Sequence, residues 1–147
     1  MTLIYLLLAV AAGSLVPIQA GINASLRLSL GHPVLAAVTN FLVGLTLLAT
    51  FAAATRVPLP SSAQIAHAPW WCWIGGAMGA TLVLSGVLLS HRLGAATFIA
   101  SVILGQLAAS VLLDHFALVG YPQHSLSLPR VAGLFLLAAG VYVIRRW

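Results

Sequence analysis

The sequence predicts an all-α integral membrane bundle of five transmembrane helices, and three observations lead there. Six arginines and one aspartate are the only formally charged side chains among 147 residues. Hydrophobic residues make up 62% of the chain and mean hydropathy is +1.12, more apolar surface than a soluble domain of this length hides in one core. The uncharged runs also have the right length. Met1 to Leu26, Leu28 to Thr55, Trp70 to Ser90 and Leu93 to Leu113 each hold the ~20 helical residues that cross a ~30 Å hydrocarbon core. The fifth run, Val131 to Ile144, is shorter, but Arg130 and Arg145 can snorkel to the headgroups from its ends. Barrel strands would alternate polar and apolar residues, and stretches such as TLIYLLLAVAA and GLFLLAAGVYVI do not.

Span 1 is expected over residues 2–26, punctuated by Gly13, Pro17 and Gly21; a proline inside a helix removes one backbone hydrogen bond. Its first ten residues carry no Lys or Arg, so the positive region of a cleaved leader is missing and the span is expected to be retained. Span 2, residues 33–55, restarts after Gly31-His32-Pro33. A hydrophilic connection with two prolines and two serines runs from Arg56 to Ala68. Span 3, residues 70–90, opens on Trp70, Trp71 and Trp73, the interfacial anchor expected of indoles. Span 4, residues 94–118, follows a Ser90–Gly94 turn, and span 5, residues 129–146, ends in Arg145-Arg146-Trp147. No linker divides the chain, so residues 1–147 read as one five-helix domain.

Several function classes fall away. The arginines are dispersed rather than clustered, so no nucleic-acid partner is expected despite a pI near 10.8. Cys72 is the one cysteine, and no zinc spacing occurs, so neither a metal nor a cofactor is expected. No nucleophile–base pair or paired carboxylates appear, which argues against an enzyme. Five crossings put Arg27, Arg92, Arg145 and Arg146 on one side and Arg56 and Arg130 on the other. The positive-inside tendency then favours a cytoplasmic C-terminus only four to two, a balance that permits insertion in both orientations.

Polar groups inside the spans mark candidate sites. Gln19, Asn23 and Arg27 are spaced four apart on one face of span 1. Asn40 lies in span 2; Gln106, Ser110 and Asp114 form a second row on span 4. Gln19, Asn23, Asn40, Gln106 and Ser110 are the candidate substrate-binding residues, with interhelical hydrogen bonding as the alternative reading. Asp114, the single acidic residue, is the candidate ion-coupling group; alternatively it faces water or pairs with an arginine at a helix end. His32, His67, His91 and His124 fall in expected loops. Thr97, Ser101, Gly105 and Ala109 form a small-residue stripe, ordinarily a packing surface in membranes.

The order Gln19-x-x-x-Asn23, Phe41-x-x-Gly44, Trp73-x-Gly75-Gly76, Leu93-Gly94-Ala95-Ala96 and Gly105-Gln106-x-x-x-Ser110-x-x-x-Asp114-His115-Phe116 resembles the YdcZ-type family of the drug/metabolite transporter superfamily. The likeness covers nearly the whole chain, and the GQ-x-x-x-S-x-x-x-DHF string is its most specific part. Ala117 and Leu118 precede Gly120 where the family commonly has glycine directly after the phenylalanine. The resemblance implies a bacterial inner-membrane, multi-pass protein equivalent to half of a ten-helix inverted-repeat transporter. Such a half needs a partner, an antiparallel second copy or a homologous five-helix subunit, to move a small-molecule solute by alternating access. Two odd-numbered units joined head to tail invert the second automatically. The intramembrane glutamate of similar small multidrug exporters is absent, so their proton-coupled mechanism does not carry over. The rival expectation is a non-transporting membrane scaffold subunit.

Overall fold

A computed structural model describes residues 2–147, which are helical throughout the five apolar stretches. Five helices are long and apolar enough to cross a membrane: Thr2–Leu30, Pro33–Ala54, Trp70–Leu93, Ala95–His115 and Leu128–Arg146. They fall into two units, one up to Arg92 and one from Leu93 onward.

In the first unit, α1 spans Thr2–Leu30 with Pro17 inside it, one turn longer than the expected end at residue 26. At 1.5 Å per residue its 29 residues reach about 44 Å. Gly31 stops it at φ 73°, a left-handed geometry that spares glycine a Cβ clash, with its N–H on the Arg27 carbonyl. His32 is extended and caps α2, Pro33–Ala54, by accepting the Val34 N–H on Nδ1 at 3.3 Å; Pro33 fits the first helical turn because no donor is needed there. Ala24 of α1 and Ala36 and Ala37 of α2 are buried. Small side chains of this kind let helices approach closely where lipid supplies no hydrophobic drive between them.

The connection is not wholly loop. Ser61 and Gln64 form a reciprocal capping box that starts α3, Ser62–His67, so His67 is helical. A 3₁₀ segment, Trp70–Ile74, carries the tryptophans into α4, Gly75–Leu93. The turn expected at 90–94 contracts to Gly94 alone, and His91 and Arg92 sit in the last turn of α4. Four hydroxyls in the spans bond back to their own helix: Thr46, Thr50, Thr81 and Ser85 each donate to the carbonyl four residues back, at 2.8–2.9 Å. That bond hides a polar group from hydrocarbon.

In the second unit, α5 (Ala95–His115) packs on α6 (Leu128–Arg146). α5 ends at His115, short of the expected residue 118. Ala117 adopts φ 50° and Val119 φ 56°, which turns the chain into a 3₁₀ segment, Leu118–Gly120. Ser127 is extended at the N-cap of α6, and Pro129 lies in its first turn. α6 has no buried residue. Large apolar side chains such as Leu6, Leu47, Phe51 and Leu136 point outward, as a lipid solvent requires.

Candidate functional site

The polar residues of the first unit lie on α1 and on the helices that α1 meets. Gln19 Nε2 donates to Asn40 Oδ1 at 3.3 Å, tying α1 to α2. Gln19 is exposed and Asn40 half-buried, so the bond is long and lies at the edge of the helix pair. Asn23, one turn further along α1, is 4% exposed and is the most deeply buried polar residue among those described. Another turn on, Arg27 Nη1 donates to the Val87 carbonyl of α4 at 3.4 Å. The α1 row expected from spacing four is therefore directed at two different helices. A cleft of about 540 Å³ opens between α2 and α4, lined by Val34, Phe41, Leu45, Ala80, Thr81 and Leu84. It is almost wholly apolar and holds none of the expected binding residues.

In the second unit, Ser110 and Asp114 line one cavity of about 280 Å³ with Leu107, Val111, Arg130 and Gly133. Asp114 Oδ2 accepts from Arg130 Nη1 at 3.2 Å, both side chains being about one-third exposed or less. Arg130 also donates to the His124 carbonyl at 3.2 Å. The Asp114 carbonyl, freed because the helix ends beyond it, accepts the His124 N–H at 2.9 Å. His115 continues the clasp: Nδ1 accepts the Leu126 N–H at 3.1 Å, and its carbonyl accepts from Gln123 Nε2 at 3.4 Å. The imidazole packs edge-on against Phe116, centroids 4.7 Å apart. Accepting at Nδ1 puts the ring proton of neutral His115 on Nε2. The Asp-His-Phe string thus fastens the loop before α6 to the end of α5. Gln106 is exposed on α5 and does not line the Ser110–Asp114 cavity.

The sequence made Asp114 the candidate coupling group, with a helix-end position facing water or an arginine as the alternative; the structure identifies that arginine as Arg130. Sequence reasoning did not find the role of His115, Gln123 and His124. The signal for it was the adjacency of Asp114 and His115 to a short loop rich in donors and acceptors, Tyr121 to Ser127. Among the described residues no group of three or more His, Cys, Asp or Glu side chains gathers that could hold a metal ion.

Residues 4–143 match the family model described as "Putative inner membrane exporter, YdcZ". The chain is similar to "Inner membrane protein YdcZ" of Escherichia coli (strain K12), 29% identical over 112 residues that make up 76% of this chain and 74% of that protein. No solved structure matches.

Proposed function

The chain belongs to the YdcZ family of multi-pass inner-membrane proteins, and from that premise we propose that it is a small-molecule transporter subunit. It works by alternating access in an antiparallel dimer with a second copy or with a homologous five-helix subunit. The family description names an exporter, so the proposed direction is outward. Amides inside apolar spans carry this reading: Gln19 bonded to Asn40 across α1 and α2, and Asn23 buried one turn further along α1. Such groups are costly in hydrocarbon unless they serve a solute or each other. Gln106 and Ser110 of α5 are the proposed solute-binding residues of the second unit. Five helices of odd parity supply half of an inverted repeat, and a partner inserted upside down supplies the rest.

Asp114 is the proposed coupling group. Its carboxylate already holds one cation, the Arg130 guanidinium, so coupling means that a solute-linked cation or proton competes with Arg130 for it. The scaffold reading is supported by the same Gln19–Asn40 bond, because interhelical amide pairs also serve as glue.

Reconstituted flux separates the two. In proteoliposomes loaded with a panel of small organic solutes, the native chain moves at least one. Asn23→Ala and Gln106→Ala reduce that flux at least tenfold while the dimer persists. Unaltered flux in both variants removes these residues from the site.

A further inference from the structure

Arg27 was expected to mark the end of span 1, yet it lies inside α1, three residues before Leu30. Its guanidinium carries five donors, and the contact from it to protein is the 3.4 Å bond to the Val87 carbonyl. Charge-assisted N–H···O bonds normally close to about 2.7–2.9 Å, so a neutral carbonyl at this distance leaves most of the group's capacity unused. No carboxylate answers the charge. The chain has a single acidic side chain, and Arg130 holds it.

A separate observation points to the same place. Ser90, on α4, is 9% exposed, and its Oγ is buried without a hydrogen-bond partner. Ser85, five residues earlier on the same helix, donates to the carbonyl four residues back; Ser90 does not. Val87, whose carbonyl Arg27 reaches, and Ser90 are three apart on α4 and share a helix face. Asn23 stands one turn from Arg27 on α1 and is nearly fully buried.

We infer that Arg27, Ser90 and Asn23 form a binding site for an oxyanion. The guanidinium neutralises the ligand's charge while the hydroxyl and the amide donate to its oxygens. The ligand class is a phosphate or carboxylate group, carried by an anionic lipid headgroup or by a free solute. Depth agrees with a headgroup. A centred α1 of about 44 Å overhangs a ~30 Å core by about 7 Å at each end, and Arg27 is about 4.5 Å in from the C-terminal end. It therefore lies near the boundary where lipid phosphates reside. Ser90 is likewise three residues before the end of α4. Where the ligand is a solute, the inference rests on the transporter reading and narrows the substrate to an anion; where it is a lipid, it stands apart from transport.

The test uses the full chain in an uncharged detergent, titrated with inorganic phosphate, a short-chain phosphatidylglycerol and a short-chain phosphatidylcholine, with the unfolding temperature as readout. A ligand bound by the native state alone raises that temperature, because it adds RT ln(1 + [L]/Kd) to the stability. Phosphatidylglycerol is expected to stabilise at concentrations at least tenfold lower than phosphatidylcholine. A shift with inorganic phosphate as well identifies a site open to free anions; a shift with the lipid alone identifies a headgroup site. Arg27→Gln weakens the apparent affinity at least tenfold and Ser90→Ala at least threefold, while Arg92→Gln leaves it unchanged. Native affinity in Arg27→Gln, or no selective shift in the native chain, overturns the assignment. If Arg27→Gln does not fold, Ser90→Ala decides, and full affinity there overturns it. The readout is binding, so its failure leaves the flux experiment standing, and loss of flux does not disturb this result.

Discussion

Replacing Asn40 by Leu cuts the Gln19–Asn40 side-chain bond that joins α1 to α2, and the size of the effect distinguishes a solute site from interhelical glue. The bond is 3.3 Å long, beyond the usual 2.7–3.2 Å range, and Gln19 is exposed. Interhelical hydrogen bonds in membranes average about 0.6 kcal/mol and reach about 1.7 kcal/mol; a long one at an edge belongs at or below that average. If Gln19 borders a hydrated solute path, water replaces Asn40 and the single substitution costs under about 1 kcal/mol. If the site is dry, the stranded amide costs about 1–3 kcal/mol, and removing Gln19 as well recovers it. A double-mutant cycle over Gln19→Leu, Asn40→Leu and the pair isolates the coupling, measured by equilibrium unfolding in mixed micelles alongside flux. The expected result is a coupling of about 0.5 kcal/mol or less with flux reduced at least tenfold in each single variant. Single variants that each lose about 2 kcal/mol, recover in combination and keep native flux would refute the reasoning and favour the scaffold.

Two further substitutions probe the fold around the site. His115→Phe keeps the ring against Phe116 but removes the acceptor for the Leu126 N–H. A lost bond of about 0.5–1.5 kcal/mol speeds hydrogen exchange at the Leu126 amide about two- to tenfold, and an unchanged rate shows that the clasp does not hold the loop. Gly94→Ala places a Cβ at φ 79°, ψ 153°, a region that costs non-glycine residues about 1–3 kcal/mol. Gly105→Ala is the control, because its Cβ meets no atom within 4 Å and alanine favours a helix by up to about 1 kcal/mol. Equal unfolding free energies for the two variants would contradict the strain assigned to Gly94.

The spans were legible because charge is so scarce that its gaps measure the helices directly. Their ends were less legible, each for a local reason. Arg27 read as a boundary, but an arginine inside a helix can bend its long side chain to a carbonyl on α4. The turn at 90–94 read as five residues because His91 and Arg92 are polar, whereas one left-handed glycine suffices. α3 was missed although Ser61 and Gln64 have the spacing of a capping box, since the prolines around it suggested loop. At the candidate site, spacing four put Gln19, Asn23 and Arg27 on one face, but period alone does not say which neighbour each turn meets. Gln19 meets α2 and Arg27 meets α4. The Asp114 clasp depended on two left-handed residues, Ala117 and Val119, that no propensity assigns to alanine or valine.

The proposed working unit is an inverted pair of five-helix subunits. Two copies joined directly, C-terminus to N-terminus, must place the second upside down, because five is odd. Two copies joined through one additional transmembrane helix must instead be parallel. Solute flux measured for both fusions in cells lacking other copies tests this pairing most directly. Flux is expected from the direct fusion and none from the fusion with the extra helix; equal flux from both, or flux from the parallel fusion alone, contradicts inverted pairing.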